Sequence, residues 1–282
     1  MKLVRYGLPG SEKPGLIDKQ GALRDLSGEV ADINGAALHP ASLAHLKSLD
    51  PSRLPLVPGK PRFGPCLANV GKVIAIGLNY ADHAAETGAK IPAEPIVFMK
   101  AISSITGPDD HIMLPRGSVK TDWEVELAVA IGRTARYVEE SDALSYVAGY
   151  MVCNDVSERE YQTERGGQWD KGKGCDTFCP IGPWLVTADE VPDPQKLDMW
   201  LDVNGQRMQT GSTASLIFDV PTLVSYVSQF MSLQPGDLIS TGTPPGVGMG
   251  KKPQVWLKEG DVIALGIDGL GQQRQNVKRT KL

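Results

Sequence analysis

Two glutamates lie two residues apart in Asp122–Ile131, a stretch with the residue pattern of a β-strand. Because side chains alternate between the two faces of a strand, Glu124 and Glu126 point the same way, together with Ala128 and Ala130. The spacing alone favours a solvated strand edge, but the two alanines indicate an enclosed face. Enclosed carboxylates repel each other unless a cation neutralises them, and carboxylate oxygens favour hard ions such as Mg²⁺, Mn²⁺ or Ca²⁺.

Two further groups have residue types suited to chemistry. Asp155 follows the apolar stretch Val147–Cys153, where an Asn-Asp pair forms either a turn or an acid placed at a strand end. His83 and Glu86 lie three residues apart in a predicted helix and therefore share a face. Such a pair is either a surface ion pair or a dyad in which the imidazole removes a proton from water. No HExxH spacing is present, which argues against a zinc hydrolase.

Two glycine-rich segments are candidate loops that carry polar groups into a site. Gly166–Gly174 contains Lys171 and Lys173, and it is either a solvated loop or a carrier of a cation to a developing oxyanion. Thr241–Gly250 follows a predicted strand but lacks the P-loop and dinucleotide-binding spacings. Its backbone N–H groups and threonine hydroxyls could bind a carboxylate, and the alternative is a plain turn.

The composition limits the classes of partner. The chain has 282 residues and a formal net charge of -4, which argues against nucleic acid because that partner requires a basic footprint. The N-terminus has no apolar signal region, and the longest apolar runs are far too short to span a membrane. The four cysteines form no CxxC pair, and we interpret them as reduced, mainly buried thiols of a cytoplasmic protein: Cys66, Cys153, Cys175 and Cys179.

The elements that must position these residues are mainly strands. Strands are predicted at Lys2–Tyr6, Gly15–Asp18, Ala22–Leu26, Lys72–Ile76, Asp122–Ile131, Val147–Cys153, Trp184–Val186, Met199–Val203, Asp237–Ser240 and Val262–Gly266. Helices are predicted at Ala41–Leu49, Asn79–Thr87 and Pro221–Met231. Since strands dominate and do not alternate regularly with helices, we expect a mixed, β-rich α+β fold rather than a Rossmann fold or a barrel.

A proline-rich stretch suggests where the chain divides. Five prolines lie between residues 51 and 65, and this density excludes a helix or a central strand. We therefore predict a small N-terminal domain with its linker over residues 1–65 and a main domain over residues 66–282.

Taken together, these motifs resemble the fumarylacetoacetate hydrolase superfamily. The resemblance extends from Gly77 to Pro244. It is carried, in order, by Gly77-Leu78-Asn79-Tyr80, His83, Glu86, Phe98-Met99-Lys100, Asp122-Trp123-Glu124-Val125-Glu126-Leu127, Gly149-Tyr150, Asn154-Asp155, Arg159, Gln162, Lys173, Asp176-Thr177-Phe178, Gly182-Pro183 and Ser240-Thr241-Gly242-Thr243-Pro244. So many motifs in one order make a chance match improbable.

The resemblance implies a fold and a set of roles. The fold would be a β-roll or β-sandwich catalytic domain with a small N-terminal domain, usually in a homodimer. The metal would be Mg²⁺ or Mn²⁺, with Ca²⁺ as a substitute in a crystal, bound by Glu124, Glu126 and Asp155. His83 and Glu86 would activate water, and Lys173 would polarise a carbonyl. The substrate would be bound by Asn79, Tyr80, Lys100, Arg159, Gln162, Gly242 and Thr243.

The resemblance also implies a range of reactions. The first expectation is a Mg²⁺-dependent hydrolase that cleaves a C–C bond in a small 2,4-diketo acid of the acylpyruvate or fumarylpyruvate type. The second is a lyase, decarboxylase or isomerase on the same site, acting on ureidoglycolate, oxaloacetate or 2-hydroxyhepta-2,4-diene-1,7-dioate. A third is an inactive diketo-acid binding protein. Gly77–Tyr80 lacks the extra aspartate ligand of fumarylacetoacetase proper, which argues against fumarylacetoacetate itself.

The segment that contains the predicted dyad is expected to move. Gly88 can end the helix, and the polar residues that follow have little apolar surface to pack. We therefore predict that about Tyr80–Pro92 is mobile without a ligand and closes when a keto acid binds, the alternative being a permanently packed helix.

Overall fold

The computed structural model describes residues 1–280. Its strands are β1 (Lys2–Tyr6), β2 (Lys13–Ile17), β3 (Leu23–Asp25), β4 (Val73–Gly77), β5 (Ile96–Lys100), β6 (Ile105–Thr106), β7 (Ile112–Leu114), β8 (Thr121–Asp122), β9 (Val125–Ile131), β10 (Val147–Asn154), β11 (Ser157–Glu158), β12 (Cys179–Thr187), β13 (Asp198–Val203), β14 (Gln206–Ser212), β15 (Leu238–Ser240), β16 (Val262–Ile267) and β17 (Gly271–Arg279). The helices are α1 (Pro40–Ser48), α2 (Ala81–Thr87), α3 (Asp170–Lys173) and α4 (Val220–Ser228).

Two large sheets form the framework. The first has the order β3-β2-β1-β12-β10-β9-β15-β4-β5, with β6 paired to β12. The second has the order β14-β13-β16-β17-β7, and β8 and β11 form a separate two-stranded ribbon. Most pairs are antiparallel, whereas β15 runs parallel to β4. The expectation of a mixed, β-rich α+β fold is confirmed.

Strand β9 lies at the centre of the molecule. Its residues Val125, Leu127, Val129 and Ile131 pack in one buried cluster with side chains of β13 and β16, so this face meets the second sheet. Ala128 and Ala130 belong to a second cluster on the other face. The predicted alternation is therefore confirmed, and each fully buried aliphatic side chain contributes about 1.5–3 kcal/mol.

The predicted strand Asp122–Ile131 is interrupted at Trp123 and Glu124. The strand prediction was wrong at this point because side chains, rather than a neighbouring strand, accept the backbone N–H groups there. The Glu124 N–H donates to the Asn154 side chain, and the Trp123 N–H donates to the carboxylate of Asp122. This break separates β8 from β9 and leaves Glu124 just before the regular part of the strand.

Local signals explain the ends of the helices. α4 begins where the Asp219 carboxylate accepts from the Thr222 N–H, with a proline in its first turn. α2 ends at Gly88, whose φ of 72° is in the left-handed region that glycine tolerates. No helix within residues 1–280 is long and apolar enough to cross a membrane.

The N-terminal strands extend the first sheet, because β1 pairs with β12 at Lys2↔Val186 and Leu3↔Leu185. The proline-rich stretch contains a short 3₁₀ turn at Pro51–Arg53 and no α-helix. The division of the chain between residues 65 and 66 remains a prediction.

Candidate active site

Three buried carboxylates meet where β9 and β10 lie side by side. Glu124, Glu126 and Asp155 each offer an oxygen, and these oxygens all lie within 4.8 Å of one another. Local backbone contacts hold this arrangement, because the Asp155 N–H donates to the Glu124 carbonyl at 2.9 Å. Glu126 lies directly across from Cys153 on the neighbouring strand. The triad has the oxygen donors and the spacing that a hard divalent cation requires.

Two of the three carboxylates have cationic partners. Lys173 Nζ lies 2.6 Å from Glu124 Oε2 and 2.6 Å from Asp155 Oδ2. Arg159 donates to the other oxygen of Glu124 at 2.6 Å, and the fully buried Lys100 pairs with the other oxygen of Asp155. Burial opposes ionisation of Glu124, but the charges of Lys173 and Arg159 hold its pKa well below the ordinary value. Glu124 is therefore an anion.

Glu126 has no cationic partner among the described residues. One of its oxygens accepts from the Ser240 hydroxyl at 2.6 Å and from the Gly242 N–H at 2.9 Å. Burial, with repulsion from Asp155 and Glu124, raises its pKa well above the ordinary value. An added divalent charge would remove this penalty, so the donor set fits a metal ion.

His83 and Glu86 form the predicted pair on α2. His83 Nδ1 lies 3.3 Å from Glu86 Oε2. Although burial alone would raise it, hydrogen bonds from His83 and the Gly246 N–H hold the pKa of Glu86 below the ordinary value. A carboxylate can only accept, so His83 Nδ1 carries the proton of this bond, and in a neutral imidazole Nε2 is then the nitrogen with the lone pair. This assignment of the tautomer follows from the hydrogen-bond network.

The Thr241–Gly250 segment binds carboxylates, but they are the protein's own. The Gly246 N–H lies 3.0 Å from both oxygens of Glu86. The N–H groups of Gly248 and Met249 donate to Asp122, which also accepts from Arg159. We name residues 246–250 the glycine loop. The loop links the dyad on α2 to the ion pairs around the triad.

A cavity of about 210 Å³ opens beside the triad. Of the residues with predicted roles, the lining includes His83, Glu124, Glu126, Asp155, Arg159, Gln162, Lys173 and Thr243. The predicted carrier segment around Lys173 is a short helix, and it holds this lysine buried. The cavity thus brings together an imidazole, two cationic side chains and three carboxylates.

Four predicted substrate-binding residues lie behind the cavity lining. Asn79 makes hydrogen bonds with the backbone of Phe218 and Thr241, and the Tyr80 hydroxyl contacts Met199. Lys100 donates to Asp155 and to backbone carbonyls, and Gly242 donates to Glu126. Their contacts are with the protein, so the structure places them as supports for the lining residues. Their role in binding substrate stays a prediction.

The family model described as "Fumarylacetoacetate (FAA) hydrolase C-terminal" matches residues 72–278. The chain belongs to the fumarylacetoacetate hydrolase family. A Burkholderia cenocepacia protein, provisionally named a hydrolase with no stated substrate, is 62% identical over 282 residues and covers 100% of both chains.

Solved structures of this family superpose closely. Fumarylacetoacetate hydrolase from Exiguobacterium antarcticum is 35% identical with a TM-score of 0.85, covering 99% of this chain and 100% of that one. The 2-hydroxyhepta-2,4-diene-1,7-dioate isomerase from Mycobacterium marinum is 32% identical with a TM-score of 0.75, covering 100% of both. Maleylpyruvate hydrolase from Sphingobium sp. SYK-6, solved with manganese(II) and pyruvate, is 29% identical with a TM-score of 0.82, covering 100% of both. The chain is therefore an enzyme of the fumarylacetoacetate hydrolase family.

The sequence analysis did not predict a role for two residues that hold the lining of the cavity in place. Gln209 on β14 accepts from the Val125 N–H and donates to the Thr243 hydroxyl at 2.8 Å. Asp122 binds Arg159 and the glycine loop together. The sequence could have revealed Asp122, since this residue begins the acidic face of the predicted strand. It could not have revealed Gln209, because the residues that Gln209 binds are distant in the chain.

Gly250→Ala is expected to lower turnover by about 10- to 100-fold, since small displacements of a catalytic group have effects of this size. A methyl group at residue 250 would overlap Glu86 Cγ and Cδ, so the carboxylate must move away from His83. Steady-state kinetics measures turnover, and Mg²⁺ titration calorimetry measures the affinity for the metal. The metal affinity should change by less than about twofold, because the triad is not displaced.

Gly28→Ala is the matched control, since Gly28 has open space around its Cα and no left-handed φ. If Gly250→Ala turns over as fast as Gly28→Ala, contact with the glycine loop does not position Glu86.

Proposed function

We propose that this enzyme is a Mg²⁺-dependent hydrolase that cleaves a C–C bond in a small 2,4-diketo acid of the acylpyruvate type. The observation that carries the proposal is the His83–Glu86 dyad beside a cavity that also contains the carboxylate triad. The Sphingobium neighbour, solved with manganese(II) and pyruvate, supports a divalent metal and a pyruvate-like ligand. The ion would be bound by Glu124, Glu126 and Asp155.

A divalent metal supplies a Lewis acid at the 2-keto-carboxylate end of the substrate. His83 Nε2 takes a proton from a water molecule, while Glu86 holds the imidazole through Nδ1. The water oxygen adds to the carbonyl carbon at position 4, and the bond between carbons 3 and 4 then breaks. The electron pair of that bond moves onto carbon 3 as an enolate, which is protonated to give pyruvate beside a carboxylic acid.

Two residues of the cavity are suited to hold the reacting carbonyls. Lys173 uses two of its three N–H bonds on Glu124 and Asp155, which leaves one for a developing oxyanion. Gln162 accepts from Arg159 through its carbonyl oxygen, so its NH₂ group is available to donate to substrate. The Thr243 hydroxyl donates to the Val125 carbonyl, so it can only accept from a ligand.

The decisive assay is a screen of acylpyruvates with purified protein and Mg²⁺, with pyruvate release as the readout. Cleavage that depends on added metal is the expected result. No pyruvate at any metal concentration would refute the hydrolase proposal.

An isomerase, lyase or decarboxylase on the same site is the second proposal, and the Mycobacterium marinum isomerase favours it. These reactions share the enolate, so the carboxylates and Lys173 serve them equally. They do not need the activated water that the dyad supplies. Release of glyoxylate, urea or CO₂, or a spectral shift without pyruvate, would identify one of them.

We also propose that the enzyme acts as a homodimer, as the family resemblance implies, and that it is cytoplasmic, as the spacing of its four cysteines indicates. Sedimentation of the purified protein tests the dimer.

Binding of oxalate with Mg²⁺ is expected to increase hydrogen-exchange protection at Asp82–Ala89. α2 is short and ends at Gly88. Among the side-chain hydrogen bonds described for this helix, only those of Glu86 reach outside it, and they bind the glycine loop. Closure over a ligand would bury it further. Protection that is already high and unchanged by oxalate would show a permanently packed helix.

A further inference from the structure

The two cationic side chains that line the cavity already form ion pairs with carboxylates of the protein. Arg159 donates from Nε to Asp122, from Nη1 to Gln162 and from Nη2 to Glu124. Lys173 binds Glu124 and Asp155, and the mechanism proposed above uses its remaining N–H on the reacting carbonyl. No lining cation is left to pair with a second carboxylate of a substrate.

The rest of the lining is uncharged. The Phe98 ring lies 5.2 Å from Lys173 Nζ, so an apolar surface begins directly beside the cation. Phe98 and Trp169 then meet edge to face, with ring centroids 5.3 Å apart. The apolar surface is completed by Ile76, Leu78, Ala89 and Met249. A carboxylate placed against these side chains would lose water without gaining a partner.

The charge balance of the lining favours a substrate with a single carboxylate. With all three lining carboxylates ionised, as a bound divalent cation would keep them, these carboxylates and the two lining cations sum to −1. A divalent ion raises this sum to about +1, which a substrate with a single carboxylate brings to zero. A second carboxylate would leave an uncompensated negative charge against this lining, and Glu86 behind His83 would add to the repulsion.

We propose that the cavity selects diketo acids whose acyl group is uncharged and apolar, and that it discriminates against dicarboxylates. This inference rests on the proposed function and narrows its substrate class. The apolar surface formed by Phe98 and Trp169 receives the acyl chain, while the triad and its metal receive the keto-carboxylate end.

An isosteric pair of substrates tests the proposal. 4-Methylpentanoylpyruvate and succinylpyruvate differ only in an isopropyl group that replaces a carboxylate of nearly the same shape. With the Mg²⁺-loaded enzyme, kcat/KM for the isopropyl compound is expected to be about 100-fold higher, as for other buried charges without a partner. Equal values, or a preference for succinylpyruvate, would overturn the proposal.

Matched variants at the lining residue Thr163 give a second measurement. Thr163 is an exposed lining residue in the π-helical turn Glu160–Glu164, which also contains Gln162. Thr163→Lys should improve succinylpyruvate turnover at least about 10-fold relative to Thr163→Met, which adds similar length without charge. If the two variants prefer the same compound to the same degree, a missing cation is not what sets the specificity.

Lys90 is a cation outside the lining that could pair with a second carboxylate of the substrate, so it requires a control variant. It follows the lining residue Ala89 and is exposed, so a moving α2 could bring it to the substrate. Lys90→Ala should leave the ratio of the two kcat/KM values unchanged. A selective loss of succinylpyruvate turnover would show that Lys90 supplies the missing cation, and would overturn the proposal.

Binding separates this inference from the proposed function. In the His83→Ala variant, calorimetric titration with each compound measures affinity without turnover. Tighter binding of the isopropyl compound, with no cleavage by the unaltered enzyme, would refute the hydrolase alone. Cleavage of both compounds with equal affinities would refute the selectivity alone.

Discussion

Glu124→Gln is expected to weaken Mg²⁺ binding by about 100-fold and to lower turnover by at least as much, a change of about 2.7 kcal/mol. The amide keeps the shape of the side chain but removes one of the three negative charges that attract the ion. The fold should survive, because Arg159 and Lys173 keep Asp122 and Asp155 as partners. Mg²⁺ titration calorimetry and thermal melting measure the two properties independently.

The matched control is Glu160→Gln, which makes the same change in an ion pair with Arg165 outside the cavity. Metal affinity and turnover should stay within about twofold of the unaltered enzyme there, since exposed pairs contribute little. Near-normal turnover of Glu124→Gln with an unshifted Mg²⁺ titration would mean that the triad is only a polar strand surface.

His83→Ala is expected to reduce hydrolysis by about 10²- to 10⁴-fold, the usual contribution of a positioned general base. Oxalate binding in the presence of Mg²⁺ should remain nearly intact, because the metal and its three carboxylates anchor such a ligand. Kinetics and calorimetry on the same preparation give both values. His45→Ala is the control, since His45 is exposed and pairs with Glu29 far from the cavity.

Two other outcomes for His83→Ala would contradict the assignment. A parallel loss of oxalate affinity would mean that His83 holds the ligand rather than activating water. Unchanged hydrolysis would leave the His83–Glu86 pair as a support for α2. In either case the base would have to be sought among the other lining residues.

Residue patterns predicted the central part of the fold because apolar side chains there follow the geometry of the element. β9 shows this clearly, since Val125 to Ile131 face one cluster at alternate positions. β17 was missed for the opposite reason. Its inward positions include Gln273 and Gln275, which are buried yet bonded to backbone carbonyls, so the strand does not look hydrophobic.

The candidate site was predicted in part. The positions of the carboxylates and of the dyad follow from spacing within one element or from a strand end, so the local sequence was enough to predict them. Asn79 is different, because its direction depends on the turn at Leu78, whose φ of 53° is left-handed. This turn directs the amide toward Phe218 and Thr241, which local sequence does not reveal. The functions of these residues stay predictions.

The pairing of β1 with β12 has a consequence for any shortened form of the chain. A protein that begins at residue 66 would leave Leu185 and Val186 on an uncovered strand edge, and would remove Leu3 and Leu16 from the second cluster. Unpaired strand edges recruit other chains. Such a protein should self-associate and precipitate even with every carboxylate, base and cation of its cavity present. We therefore expect the first 25 residues to protect the enzyme from aggregation, although none of them lines its cavity.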